Sequence, residues 1–280
     1  MSPTGPAVII DPNMPAAQYH ATDAVSASLL KQIQRSPAHA MAYLQQQQEP
    51  TPAMLFGTAF HTCVLESERF AEEYAVFEGD KRTKDGKATY ERLVHEGKTI
   101  ISATDYATIT AMAEAIGDHP AASKLVRGDG QTEVSMFWDD DETGLACKCR
   151  PDIWLMRGAG SVIVDLKTTE DASPEGFSRS IQTYGYGIQA AHYLAGSGAD
   201  AFLFVAVEKK PPYAVAVYEL DPLSLEISEA KRRSLLQLWT DCCESESFPA
   251  YSDECQMISL PGWVTADYEN QQEENLLRGM

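Results

Sequence analysis

Asp152, Asp165 and Lys167 are the residues of this chain whose types and spacing could do chemistry. Asp152 follows a proline, in Cys149-Arg150-Pro151-Asp152-Ile153. Asp165 ends the β-branched run Val162-Ile163-Val164 and is followed by Leu166-Lys167-Thr168-Thr169. In a strand, side chains alternate between faces, so Asp165 and Lys167 point one way and Leu166 the other, into a core. Two carboxylates and an ammonium on one side of two adjacent strands form a site for a divalent metal ion and an activated water. Carboxylate oxygens are hard ligands that suit Mg²⁺ or Mn²⁺. Such an ion polarises a phosphoryl oxygen and lowers the pKa of a bound water. A lysine beside it orients the water and offsets charge in the transition state. The chemistry is hydrolysis of a phosphodiester. The plain alternative is a surface salt bridge between Asp165 and Lys167. Against that stands the apolar strand, where a carboxylate is costly without a partner or a task.

These side chains need strands to hold them. Residues 132–138 alternate as a strand, and 139–144 form an acidic turn without the ligand spacing of an EF-hand loop. Residues 145–156 read as the second strand, carrying Asp152. After a glycine turn, residues 161–168 form the third strand, carrying Asp165 and Lys167. The unbroken apolar run 201–207 predicts a central buried strand, and 213–220 another. Between the third strand and that apolar run, Ser173-Pro174-Glu175 starts one long helix, or two broken at Tyr184-Gly185-Tyr186-Gly187, reaching about residue 194. Gln189 and Tyr193, four apart, share one of its faces. The last long helix spans about 222–244.

The N-terminal part is helical. Ser26 caps a short helix over 27–34, and Ser36-Pro37 opens the next, which runs into the glutamines of 45–48. Thr51-Pro52 starts a helix to about residue 66 that is apolar nearly all round and therefore buried. His61 lies one turn after Gly57, which would let another backbone approach. A lone histidine on such a helix is ordinarily a hydrogen-bonded core residue; a ligand role is the sharper alternative. Residues 67–100 are polar and hold the basic cluster Lys81, Arg82, Lys84 and Lys87, either a solvated loop or a contact to phosphate. Ser102 caps a helix to about 116, and 120–126 form a short one. Residues 1–18 read as a flexible arm. Residues 247–280 read as an irregular acidic tail, with Trp263 and Tyr268 as docking points. The fold class is α/β: a mixed central sheet flanked by helices, with an N-terminal helical part.

At 280 residues the chain can bury one large core or two modest ones. A net charge of −19 argues, taken alone, against a nucleic-acid partner. The basic cluster and the acids of a metal site temper that argument. Six cysteines without disulfide spacing, no secretory signal and no long apolar run point to the cytoplasm and exclude a membrane span.

Three stretches carry a specific resemblance. They are Cys149-Arg150-Pro151-Asp152, Val164-Asp165-Leu166-Lys167-Thr168-Thr169, and Gln182-Thr183-Tyr184-Gly185-Tyr186-Gly187-Ile188-Gln189-Ala190-Ala191-His192-Tyr193. With Phe56-Gly57-Thr58-Ala59-Phe60-His61 and the Ser26 and Ser36-Pro37 segments upstream, they resemble the RecE-type exonuclease domain (exodeoxyribonuclease VIII) of the PD-(D/E)XK nuclease superfamily. The resemblance covers about residues 19–245. It implies a single exonuclease domain over 19–246, with a helical part over 19–130 and a restriction-endonuclease-like catalytic core over 131–246. It also implies roles. His61, Asp152, Asp165 and the Leu166 carbonyl would hold Mg²⁺, with Mn²⁺ as a substitute. Lys167 would be the catalytic lysine, and Gln189 and Tyr193 would close the site. Glu133 would be an outer ligand.

The resemblance further implies a 5′-to-3′ exonuclease that degrades one strand of linear double-stranded DNA and leaves 3′ overhangs for recombination by annealing. It would form a homo-oligomeric ring, a tetramer by resemblance, and act with a RecT-type annealing protein. A ring could place basic residues on its channel and acids outside, or line the channel with acids. Related nucleases hold an iron–sulfur cluster on one early and three late cysteines. Cys63 with Cys242, Cys243 and Cys255 invites comparison, but there is no C-x-x-C and adjacent cysteines ligate poorly, so no cluster is expected. Two other readings stand beside this one: a single-strand or structure-specific nuclease, and a non-catalytic DNA-end-binding scaffold for an annealing protein. The intact set His61, Asp152, Asp165 and Lys167 argues against the scaffold.

Overall fold

The computed structural model describes residues 8–45, 50–80, 82–158 and 160–278. In chain order its elements begin β1 (Ile9–Asp11), α1 (Ala16–Ala21), α2 (Ala27–Arg35), α3 (Pro37–Gln45), α4 (Pro52–Leu65), α5 (Ser67–Glu73), β2 (Tyr74–Phe77), α6 (Lys84–His95), β3 (Thr99–Ser102), α7 (Ala103–Asp118) and α8 (Ala122–Val126). They continue β4 (Gly130–Thr132), β5 (Ser135–Asp139), β6 (Ala146–Cys149), β7 (Ile153–Arg157), β8 (Gly160–Thr169), α9 (Pro174–Tyr184), α10 (Tyr186–Ser197), β9 (Ala201–Glu208), β10 (Val215–Glu219), α11 (Pro222–Ser245) and α12 (Gly262–Arg278). Helix starts follow local chemistry. Ser26, Thr51, Ser102, Ser173 and Asp221 each accept a backbone N–H from the first turn, and proline opens α4, α9 and α11.

The central sheet has the order β10-β9-β8-β7-β4, with β8 and β9 parallel and the other pairs antiparallel. The crossover from β8 to parallel β9 is the helix pair α9–α10. β8 sits in the middle and is sorted by its pleat. Val164 and Leu166 face a core with Phe60 of α4 and Ile109, Met112 and Ile116 of α7. Ile163 faces the other core, with Phe177 of α9, Ala190 of α10 and Phe204. Asp165 and Lys167 share the parity of Ile163 and so belong to the α9–α10 face. The sheet is buried on both faces by helices, as an α/β core requires.

Two expected strands are cut. Residues 132–138 divide into β4, in the central sheet, and β5, in a second sheet of order β1-β5-β6. Residues 145–156 divide into β6, in the second sheet, and β7, in the central one. The breaks have local causes. Glu133 adopts φ 55°, in the left-handed region, and Pro151 has no N–H for a ladder. The Glu133 N–H donates to the Asp152 carbonyl at 3.1 Å, tying the two corners together. Asp152 and Glu133 therefore stand at corners where the chain changes sheets, not on strands as the sequence predicts.

Other expectations change too. Within the expected arm, β1 pairs with β5 and α1 follows, while residues 1–7 lie outside the described set. Residues 67–100 form α5, β2, α6 and β3, with β2 and β3 parallel. The basic cluster thus opens a helix, with Thr83 accepting from the Gly86 N–H at 3.0 Å; Lys81 and the glutamines at 46–48 lie outside the described residues. Gly57 faces open space, not a packed backbone. The chain separates into two units, ending and starting at Phe248 and Pro249. The second unit contains α12 where an irregular tail was expected; Tyr268 there is exposed, and the Trp263 side chain lies outside the described set. No described helix is long and apolar enough to cross a membrane.

Candidate active site

β8 carries Asp165 into the molecule at 2% exposure. The Lys167 ammonium, two residues along the same face, forms an ion pair with Asp165 Oδ2. That oxygen is buried and receives no well-aligned hydrogen bond besides the ion pair. The other carboxylate oxygen accepts from Gln189 Nε2 of α10 at 2.6 Å. Gly185, at φ 63°, both ends α9 and begins α10, which turns the chain so that Gln189 and Tyr193 follow on the inner helix face.

Asp152 meets this group from the neighbouring corner. Ile153 pairs with Val164, so one step back along the antiparallel ladder Asp152 stands opposite Asp165. Its Oδ2 accepts the Leu166 N–H at 2.7 Å, and its Oδ1 lies 3.4 Å from His61 Nδ1. His61 arrives from α4, on the opposite side of the sheet from α10. Tyr193 donates its hydroxyl to the Arg150 carbonyl at 3.4 Å, bracing the corner that presents Asp152. Glu133 accepts from Arg150 Nε at 2.7 Å and is engaged there. The structure thus brings His61, Asp152, Asp165, Lys167 and Gln189 together, with Tyr193 and Glu133 around the Arg150 corner. It leaves the basic cluster elsewhere: Arg82 pairs with Asp80 at 2.9 Å and Lys87 with Glu91 at 3.8 Å, all exposed. Lys84 is exposed at the start of α6.

Burial works against every charge here, and neighbours decide each outcome. Burial opposes ionisation of Asp152, but His61, Lys167 and the Leu166 N–H hold its carboxyl below the usual carboxylate range. For Asp165, burial and the charge of Asp152 outweigh Lys167, so its pKa is raised. Two neighbouring carboxylates driven apart in this way are what crowded like charges produce. Burial pulls His61 and Lys167 down, but the carboxylates raise both.

Two residues to which the sequence assigned no role stand at the site, one of them within the Gln182–Tyr193 stretch. Tyr186 places its ring 4.7 Å from the Lys167 ammonium, and Lys31 of α2 reaches the same ring at 5.2 Å. Burial, then Lys167, push the Lys31 ammonium down to about 8. The one signal for Lys31 was its place beside the buried stripe Leu29, Leu30 and Ile33. Lys31, Gln189, Tyr193, Glu133 and Arg150 line a cavity of about 660 Å³.

The donor set of two carboxylates and an imidazole, with a buried carboxylate oxygen lacking an aligned hydrogen bond, fits a hard divalent cation. Among the described residues no three His, Cys, Asp or Glu side chains converge closely enough to hold an ion as they stand. His61 leans on Asp152 and Lys167 on Asp165 instead.

A family model described as a PDDEXK-like domain of unknown function (DUF3799) matches residues 26–261. Among solved structures, a candidate exonuclease from Eubacterium rectale superposes with a TM-score of 0.58 at 17% identity, covering 89% of this chain and 96% of that one. A phage-related exonuclease from Haemophilus somnus 129PT gives a TM-score of 0.33 at 17% identity, covering 80% and 96%. An alkaline exonuclease from Laribacter hongkongensis gives 0.30 at 13%, covering 67% and 91%. The first of these shows a shared fold. No curated protein matches the chain.

Proposed function

The chain belongs to the family of PDDEXK-like domains, and on that premise we propose that it is a divalent-metal-dependent exonuclease that degrades one strand of linear duplex DNA from the 5′ end. The observation that carries the reading is the buried pair Asp152 and Asp165, with Lys167 against one and His61 against the other. A buried acid pair with a lysine is expensive to keep and suits phosphodiester hydrolysis. A bound Mg²⁺, for which Mn²⁺ would substitute, supplies polarisation of the phosphoryl group and a water of lowered pKa.

His61, Asp152, Asp165 and the Leu166 carbonyl would hold the ion. Lys167 orients the attacking water and offsets the charge that develops on the phosphate. Gln189 fixes the Asp165 carboxylate through its 2.6 Å hydrogen bond, and Leu166 fixes Asp152 at 2.7 Å. Tyr193 holds the Arg150 corner. Glu133 acts from outside by anchoring Arg150. Lys84 and Lys87, exposed on α6, and Arg82 just before it are the proposed duplex contacts. Polarity, 3′ overhangs, a ring of like subunits and a RecT-type annealing partner rest on the RecE-type resemblance of the motif stretches.

Digestion of end-labelled linear duplex in Mg²⁺ and in EDTA tests the proposal. Product is expected in Mg²⁺ alone, from 5′-labelled duplex but not from nicked circle or single strand, and none from Asp165→Ala or Lys167→Ala with the fold intact. Full activity in a well-folded Asp165→Ala protein sinks the reading. Preference for single strands selects the single-strand or structure-specific alternative, and DNA retention without product selects the scaffold.

A further inference from the structure

One cation beside this site has no part in the steps above. Lys31 is half-buried on α2, with its stem on Gly185: a Cβ there would stand 3.3 Å from Lys31 Cγ. Its ammonium and that of Lys167 share the Tyr186 ring, at 5.2 and 4.7 Å. The neighbouring cations are engaged. Lys148 Nζ donates to the carbonyls of Thr22, Tyr19 and His20 at 2.6, 2.9 and 3.3 Å. Arg150 donates to Glu133, Ser135 and the Met14 carbonyl. Among the described residues, Lys31 has only the Tyr186 ring and no carboxylate, carbonyl or hydroxyl partner. The nearby Asp165 carboxylate, whose charge favours the Lys31 ammonium, is already paired with Lys167. A half-buried ammonium without a hydrogen-bonded anion is costly, and Lys31 lines the cavity that Gln189 and Tyr193 also line.

We propose that Lys31 is a phosphate-binding residue flanking the nuclease site, its ammonium donating to a non-bridging oxygen of a backbone phosphate that enters the cavity it lines with Gln189 and Tyr193. The inference rests on the nuclease reading and adds to it a recognition group on α2, which the motif residues do not include. Both ammonium groups lie against the Tyr186 ring. Lys167 is held to Asp165 by its ion pair, and Lys31 is left to the substrate.

The full chain carries the test as wild type, Lys31→Gln, Lys31→Met and Lys31→Arg. Anisotropy of a labelled duplex in EDTA across a salt series reads binding without hydrolysis, and digestion in Mg²⁺ gives KM and kcat. Lys31→Gln should weaken binding roughly tenfold and lower the slope of log affinity against log salt by about one. KM should rise by a similar factor, with kcat moving less. Lys31→Arg should retain most of the affinity. Lys31→Met keeps the stem on Gly185 and carries the same expectation should the glutamine variant unfold. Unchanged affinity and salt slope in a folded neutral variant overturn the role of Lys31, even if kcat falls. A wild-type chain that neither binds nor cuts DNA overturns the nuclease reading itself, and this inference with it.

Discussion

Asp165 depends on two neighbours that approach from different elements. Lys167 supplies charge from the same strand, and Gln189 supplies a hydrogen bond from α10. Gln189 has no hydrogen bond to Asp152, so its contribution is positional: it fixes one carboxylate oxygen of Asp165 and leaves the other to the ion pair. A hydrogen bond to a charged group contributes about 1.5–3 kcal/mol. Gln189→Leu should therefore lower kcat in Mg²⁺ by roughly 10- to 100-fold while circular dichroism stays native. Wild-type kcat in that variant would remove Gln189 from the site. The residues themselves were readable. Asp165 on an apolar strand stood out because a carboxylate there needs a partner. Lys31 and Tyr186 did not stand out, because a lysine flanking a helix stripe is an ordinary solvated residue until the fold closes over it.

Helices α4 and α10 hold His61 and Gln189, and their glycines make opposite demands. A Cβ at Gly57 in α4 enters open space, whereas one at Gly196 in α10 overlaps the Trp138 indole. Gly57→Ala should raise stability in urea by about 0.5–1 kcal/mol, since alanine loses less backbone entropy in a helix. Gly196→Ala should lower it by about 1–3 kcal/mol through overpacking. Equal effects of the two substitutions would contradict this packing. Lost nuclease activity in a stable Gly57→Ala protein would mean that DNA approaches α4 at that open position. Element starts were legible from their caps, as with Thr51-Pro52 and Ser173-Pro174. The strand breaks at Glu133 and at Arg150-Pro151-Asp152 were not. Alternation continues across a corner, and only the exchange of sheet partners shows that the chain has turned.

At the scale of the molecule, α10 meets the β1-β5-β6 sheet at His192. Its Nε2 lies 3.2 Å from both the Val25 and Lys148 carbonyls, and Trp138 packs against its ring at 4.8 Å. Burial, with Arg232 nearby, holds its pKa down to about 4, against an ordinary value of 6.5. The unfolded chain takes up a proton below pH 6.5 that the folded chain refuses until about pH 4. His192 therefore stabilises the fold fully above pH 6.5, and roughly 3 kcal/mol of that stability is withdrawn as pH falls to about 4. His192→Gln should flatten the wild-type fall in urea midpoint over this window. An unaltered pH profile would show that His192 does not carry it. The acidic turn after β5 belongs to the same scale. Asp140 accepts from Arg232 of α11 at 3.0 Å and from Thr143, so it serves as a structural tether.

The sequence by itself determined the class of fold, the strand that presents Asp165 and Lys167, and the chemistry that two acids and a lysine could do. These follow from periodicity, caps and side-chain type, which are local. Only the tertiary structure decided that Asp152 stands at a corner, that His61 reaches it across the sheet, and that Lys31 shares a ring with Lys167. These depend on which segments become neighbours when β8 is buried between α4 and α10, and no local pattern specifies that.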